Sequence, residues 1–212
     1  MRGPRRAAVG ALLVAPWLLW HRAARAGAQL YEPLADAVRG ALAERISDPA
    51  PPERKFDRID DRVAFLDWLS EMSERLSRHE PEYRTRVDFL RTLDYESTRA
   101  GLDRQMVLGL IQVESSFRKY AISPAGARGY MQVMPFWTQL IGDGSARSLF
   151  DMRTNLRYGC VILRHYLDGD KGDLFRALGR YNGSVGRPEY PQAVLARWHG
   201  QWNYLPKIRQ VR

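Results

Sequence analysis

A chain of 212 residues, 45% hydrophobic and 11% aromatic, is long enough and apolar enough to build one or two domains with real cores. The same composition excludes an intrinsically disordered chain. Basic residues outnumber acidic ones by 33 to 24, for a formal charge of +9. No basic cluster is interleaved with aromatic residues, so nucleic acid is not expected as a partner.

The first residues have the pattern of an export signal. A positive segment, MRGPRR, precedes an apolar run of 14 residues, and small residues then place Ala24 and Ala26 as in an A-x-A cleavage site. The run is shorter than the roughly 20 residues of a membrane-spanning helix. We therefore predict a signal peptide at residues 1–26 and a periplasmic mature protein. An uncleaved anchor is the alternative, and membrane association is expected only in that case.

Residues 27–100 are predicted to form a helical N-terminal module. The first helix is expected at residues 31–46, followed by a proline-rich linker, SDPAPPERK. Asp60 and Asp61 are expected to cap the second helix, and Glu80 and Pro81 to open the third, which ends near Gly101. The module is expected to pack on the downstream domain, and binding of a partner stays open.

Residues 101–212 also have mainly helical patterns. Asp103 is a good N-cap for the next helix, whose apolar line extends to Phe117, and further helices are predicted at 135–141, 151–167, 173–178 and 188–198. Alternation of apolar and polar residues over the length of a strand is found only weakly, near residues 121–131. The predicted fold class is therefore mainly α, with at most a short β-hairpin.

Glu114 is the least expected residue of this pattern. It continues an apolar line with Val107 and Ile111 near the C-terminal end of the predicted helix. Burial and the negative end of the helix dipole should both raise the pKa of a carboxyl group placed there. A general acid needs such a shift. The alternative is a structural glutamate paired with an arginine or a backbone amide.

Cysteine and histidine give no sign of a metal or cofactor site. Cys160 is the only cysteine and lies in an apolar helical pattern, where a small buried hydrophobic residue is expected. The four histidines are far apart and match no metal-ligand spacing. We expect neither a metal nor a cofactor.

Three segments in register resemble a known family. ESSF, SPAGARGYMQVMP and RYNGS resemble the lytic transglycosylase SLT family, relatives of goose-type lysozyme, and the resemblance covers residues 102–202. The segment DMRTNLRYGCVILRHYL resembles the helix between the second and third motifs. Two departures are Tyr130, where the family usually has leucine, and Asn-Gly-Ser after Tyr181 in place of Asn-Ala-Gly.

The resemblance implies a lysozyme-like catalytic domain at residues 101–212 that acts on peptidoglycan strands. It implies cleavage of the MurNAc–GlcNAc β-1,4 bond with formation of 1,6-anhydro-MurNAc, and Glu114 as the single acid and base. The implied substrate-binding residues are Ser123, Gln132, Met134, Tyr181 and Asn182.

Each of these residues has an implied role. Ser123 would polarise the N-acetyl group, while Gln132 and Met134 would line the sugar groove. The Tyr181 hydroxyl would reach Glu114 or the N-acetyl group, and Asn182 would hold the turn. Tyr190 is expected to be a packed aromatic residue rather than a cleft residue.

Two other functions stay open. A lysozyme-type muramidase would hydrolyse the same bond with water, and a catalytically silent module would only bind glycan within a wall-spanning assembly. The combination of Glu114, Ser123 and Tyr181 argues against the silent module, because a binding groove needs no acid with a raised pKa.

Overall fold

The structure is a computed structural model, and it describes residues 29–47 and 55–206. The predicted signal peptide and most of the proline-rich linker lie outside these residues. Within them, no helix combines the length and the apolar character needed to cross a membrane.

The described residues form eight α-helices. In chain order these are α1 (Asp36–Ser47), α2 (Ile59–Leu76), α3 (Tyr83–Arg99), α4 (Arg104–Ser115), α5 (Phe136–Ile141), α6 (Met152–Gly169), α7 (Leu174–Asn182) and α8 (Glu189–Arg197). A 3₁₀ turn at Ser148–Phe150 precedes α6, and a π turn at Trp198–Trp202 follows α8.

Aspartate side chains begin three of these helices. Asp103 accepts hydrogen bonds from the backbone N–H groups of Gln105 and Met106 at 2.7 and 3.0 Å. Asp151 and Asp173 cap α6 and α7 in the same way. Each cap satisfies backbone donors that the first turn leaves unpaired. The predicted N-cap at Asp103 is confirmed.

Three predicted helix starts differ from the structure by two or more positions. Helix α1 begins at Asp36 rather than at residue 31. Arg58 is the N-cap residue of α2, and Asp60 and Asp61 lie inside its first turn, where their charges face the positive end of the helix dipole. Helix α3 begins two residues later than predicted, because Glu82 rather than Glu80 accepts from the first free N–H groups.

The predicted hairpin region has β-bridges but no strand. Ile122 pairs with Arg128, and Arg128 pairs with Val133, each as an isolated antiparallel bridge. No extended strand occurs in residues 29–47 or 55–206. The mainly α fold class is confirmed.

One hydrophobic cluster runs through α2, α3, α4 and α6. Its fully buried members include Trp68, Leu90, Leu110 and Ile162, so it continues across the predicted boundary between residues 100 and 101. A buried ion pair between Glu96 of α3 and Arg157 of α6, at 3.0 Å, links the two sides further. The division into an N-terminal module and a catalytic domain stays a prediction.

Helices α4 and α8 approach each other closely at Gly109. A Cβ atom built on Gly109 would lie 3.0 Å from the carbonyl oxygen of Val194 and 3.0 Å from the backbone nitrogen of Trp198. A glycine inside a helix costs about 1 kcal/mol relative to alanine. Here it permits the backbone contact that brings α8 alongside the end of α4.

Candidate functional site

Glu114 lies at the C-terminal end of α4, one residue before the helix ends at Ser115. Its side chain is buried, with the residue 4% exposed. Glu114 therefore lies on the inner face of the helix, as predicted. Burial and the helix C-terminus both disfavour a negative charge at this position.

Tyr190 of α8 is a direct partner of Glu114. The Tyr190 hydroxyl donates a hydrogen bond to Glu114 Oε1 at 2.5 Å, between two buried side chains 76 positions apart. Burial raises the pKa of Tyr190 well above its ordinary value of 10, and the charge of Glu114 acts in the same direction. The phenol therefore stays protonated and remains a donor at neutral pH.

Tyr190 has a contact that was not predicted from the sequence. The expectation of a packed aromatic residue is met by its burial, but its hydroxyl also reaches the candidate acid. Gly109 is the sequence feature that indicates this contact, since a glycine in the middle of an apolar helix often allows another helix to pack closely against it. That helix is α8, which carries Tyr190.

The loop at residues 121–134, called the site loop below, is held by side chains from rigid helices. Asn155 of α6 is fully buried; its Oδ1 accepts from the Met131 N–H at 2.8 Å, and its Nδ2 donates to the carbonyls of Arg128 and Leu149 at 2.9 and 2.8 Å. The Ser115 hydroxyl donates to the Tyr130 carbonyl at 2.7 Å. These bonds fix the backbone of the site loop next to the end of α4.

Gly129 allows this anchoring. A Cβ atom at this position would lie 2.4 Å from Asn155 Nδ2 and 2.5 Å from the Leu149 carbonyl, and the φ angle of Gly129 is +75°. Both the space and the backbone conformation therefore require glycine. The role of Gly129 in the structure is contact between the site loop and α6.

Similarity to known proteins follows the same part of the chain. The family described as "Transglycosylase SLT domain" matches residues 92–192, a range that contains Glu114, the site loop and Tyr190. Residues 92–192 therefore match the SLT domain, and this range is called the SLT domain below. The predicted family resemblance is confirmed.

Curated relatives match this domain over part of their length. "Membrane-bound lytic murein transglycosylase C" of Haemophilus influenzae (strain PittEE) is 36% identical over 103 residues, which cover 42% of this chain and 29% of the relative. The "Transglycosylase" of Enterobacteria phage PRD1 is 33% identical over 99 residues, covering 47% of this chain and 36% of the relative. The chain thus spans about a third of the length of these relatives.

A solved structure is also similar. An inactive mutant of the lytic transglycosylase Slt from Pseudomonas aeruginosa matches with a TM-score of 0.48 and 22% identity, over 65% of this chain and 28% of that one.

In the SLT domain, the predicted site residues of the site loop make local contacts. The Ser123 hydroxyl accepts from the Ala127 N–H at 3.1 Å and so closes a turn. Gln132 is buried, and its side-chain amide donates to the carbonyls of Ala121 and Gly129 at 3.2 and 2.9 Å. Met134 is half-buried, and its backbone N–H donates to Gln29 Oε1 at 3.3 Å.

The two predicted residues of α7 are buried. The Tyr181 hydroxyl donates to the Met131 carbonyl at 2.8 Å, which adds a third anchor to the site loop. Burial raises the pKa of Tyr181 well above 10, and the charge of nearby Glu114 adds to the effect. Asn182 is the last residue of α7. Tyr190, rather than Tyr181, is thus the tyrosine whose hydroxyl bonds to Glu114 in this structure.

The departure at Tyr130 concerns packing. Its ring lies 5.0 Å from that of Phe89 in α3, and burial raises the pKa of its hydroxyl to about 12. The longer side chain therefore fills space between the site loop and α3.

The remaining titratable groups do not gather into a ligand set. Cys160 is buried, and burial raises the pKa of its thiol. Among residues 29–47 and 55–206, no group of three His, Cys, Asp or Glu side chains is placed to hold a metal ion. The chemistry available at the site is that of a carboxyl group, a phenol and the backbone of the site loop.

Proposed function

We propose that this protein is a peptidoglycan lytic transglycosylase that cleaves the MurNAc–GlcNAc β-1,4 bond and forms 1,6-anhydro-MurNAc. The observation that carries the proposal is the buried Glu114–Tyr190 pair inside the SLT domain. The relatives described as murein transglycosylases support peptidoglycan as the substrate.

Glu114 acts first as an acid in this proposal. Its proton passes to the glycosidic oxygen as the bond from that oxygen to C1 of MurNAc breaks, and the oxygen of the muramoyl N-acetyl group forms a bond to C1. Burial and the helix C-terminus favour the protonated carboxyl group that this step needs.

Glu114 then acts as a base. The carboxylate takes the proton of the 6-hydroxyl of the same sugar, whose oxygen forms a bond to C1 as the N-acetyl oxygen leaves. No water is consumed, and the proton that Glu114 donated is restored. One carboxyl group is sufficient for both steps, unlike the two-carboxylate schemes of most glycosidases.

The other buried acids support a single catalytic carboxyl group. Among the described residues, Asp94, Glu96 and Asp170 also have buried carboxyl groups, and each is paired with an arginine: Asp94 with Arg104 at 2.5 Å, Glu96 with Arg157 at 3.0 Å and Asp170 with Arg180 at 3.0 Å. These carboxyl groups therefore serve structural ion pairs.

Tyr190 is proposed to position the acid. A neutral phenol that donates to Oε1 at 2.5 Å fixes the orientation of the carboxyl group without adding charge. The hydrogen bond also stabilises the carboxylate that forms after the first proton transfer.

The site loop is proposed to bind the sugars. Its fixed backbone would offer N–H and carbonyl groups to the glycan, with Ser123 directed to the N-acetyl group and Met134 lining the groove. Gln132 and Tyr181 would act by holding this surface, since their hydrogen bonds in the structure are internal, and Asn182 would hold the turn at the end of α7. Rigid support of this kind favours precise binding.

An extracytoplasmic location, the periplasm, follows from the proposed substrate. The relatives named as membrane-bound murein enzymes support it. Attachment to a membrane or to a wall-spanning assembly is a separate question that concerns residues outside the SLT domain.

The test is product analysis on purified peptidoglycan. The protein should release muropeptides one water lighter than lysozyme products, and Glu114→Gln should abolish release while retaining glycan binding. Glu44→Gln, the same change at an exposed position of α1, is the control and should keep full activity. Reducing muramic acid ends would instead identify a hydrolase, and full activity of Glu114→Gln would refute the proposed mechanism.

A further inference from the structure

The segment before α1 lies against the proposed sugar-binding surface. Gln29 is 3% exposed, and its Oε1 accepts from the backbone N–H of Met134. The Gln29 carboxamide also lies near the Tyr181 hydroxyl, where it opposes the rise that burial causes in the pKa of that tyrosine. Residues 29–35, called the strap below, therefore lie against the site loop and against α7.

Two further contacts fix the strap. The ring of Tyr31 packs edge-on against Phe136 with ring centroids 5.6 Å apart. Glu32 forms an ion pair with Arg180 at 3.2 Å, between side chains that are both partly exposed. Tyr31 itself remains 60% exposed. The contacts run from the site loop to α5 and α7, across the side of the site on which Met134 lies.

We propose that the strap is an autoinhibitory element that fills part of the sugar groove until glycan displaces it. A glutamine carboxamide and an acetamido group share the same C=O and N–H chemistry. The Gln29 carboxamide thus occupies a backbone N–H that could otherwise bind the acetamido group of a sugar. This inference rests on the proposed function, because it requires that Met134 face the glycan.

The strap contacts suit a displaceable element. A hydrogen bond of 3.3 Å is long, and an ion pair between exposed side chains contributes little to stability. A competing ligand therefore needs only modest differential affinity to open the groove. The effect should appear in KM and in glycan affinity rather than in kcat, because the strap contacts described above are made with Met134, Phe136 and Arg180.

Two variants and one matched control test the strap. Gln29→Ala removes the carboxamide, and Glu32→Gln weakens the ion pair with Arg180. Gln139→Ala makes the same side-chain change at an exposed position of α5 and should behave as the parent protein. Circular dichroism and thermal melting check that every variant is folded.

The first readout does not depend on catalysis. In the folded protein, Gln29→Ala should speed hydrogen exchange of the Met134 amide about tenfold, because that amide loses its acceptor. In a Glu114→Gln background, both strap variants should bind an oligomer of N-acetylglucosamine about three- to tenfold more tightly by calorimetry. Gln139→Ala should change neither quantity.

The second readout is turnover of peptidoglycan, where KM should fall by a similar factor and kcat should stay unchanged. Weaker oligosaccharide binding by Gln29→Ala would overturn the inference, because Gln29 would then be a wall of the groove. Unchanged binding and unchanged exchange would also overturn it. If the parent protein releases no anhydro product while the strap variants still bind oligosaccharide more tightly, the proposed function is wrong and the inference about the strap is supported.

Discussion

Tyr190→Phe removes a single oxygen atom from the site and tests whether the tyrosine positions the acid. The lost hydrogen bond joins two buried side chains at 2.5 Å. Removing one partner of a buried hydrogen bond costs about 1–3 kcal/mol. We therefore expect the free energy of unfolding to fall by about 2 kcal/mol, measured by urea denaturation.

A double-mutant cycle isolates the pair from other effects of the change. Glu114→Met removes the acceptor at similar size, and Tyr190→Phe is then measured in both backgrounds. The coupling free energy should be about 1–3 kcal/mol, because Tyr190→Phe has no hydrogen bond to remove once the acceptor is gone. Tyr158→Phe, at another buried tyrosine, should show coupling near zero with Glu114→Met.

Activity provides a second measure of the same change. If Tyr190 orients the carboxyl group, Tyr190→Phe should lower kcat about 10- to 100-fold and leave KM nearly unchanged, since the loss concerns proton transfer rather than glycan binding. A coupling free energy below about 0.5 kcal/mol together with an unchanged kcat would refute the positioning role.

Three further predictions concern the scaffold of the site. Gly129→Ala should lower the free energy of unfolding, measured by denaturation, by about 3 kcal/mol, because the new methyl group clashes with α6 and the backbone is strained. Gly126 also has a positive φ but has open space around it, so Gly126→Ala should cost only about 1 kcal/mol in the same assay. Gly109→Ala should destabilise by about 1–2 kcal/mol through overpacking against α8, while Gly40→Ala, in open space on α1, should stabilise by about 0.5–1 kcal/mol. Burial lowers the pKa of His165 below 6.5, so the unfolded chain takes up the proton before the folded protein does as pH falls. The free energy of unfolding should therefore decrease as pH drops below about 6.5, and His165→Gln should make this decrease with pH smaller.

Local signals in the sequence were sufficient to predict where most of the helices lie. Asp103 begins α4 as predicted because an aspartate cap depends only on the backbone two and three residues further along the chain. The placement of Glu114 on the buried face also follows from helical spacing alone. Helix α7 is longer than predicted and runs to Asn182, because the RYN segment continues the helix up to the left-handed Gly183.

The contact between Tyr190 and Glu114 could not be obtained from local signals. It depends on how α8 crosses α4, and that packing is set by the space at Gly109 rather than by any motif around Tyr190. Motif resemblance also says which residues recur, but not where a side chain points. Gln132 belongs to the motif, yet its amide donates to two carbonyls of its own loop.

These internal contacts explain why a loop can serve a site that needs fixed geometry. The backbone of the site loop is tied to three helices by Ser115 of α4, Asn155 of α6 and Tyr181 of α7. Each anchor is a buried side chain bonded to a backbone group, so a shift of the loop would leave buried polar atoms without partners, at about 1–3 kcal/mol each. The loop therefore has the rigidity of the helices around it. In the proposed mechanism, the groups that the loop offers to the glycan are then in place before substrate arrives, which is the condition under which hydrogen-bond donors lower a reaction barrier most.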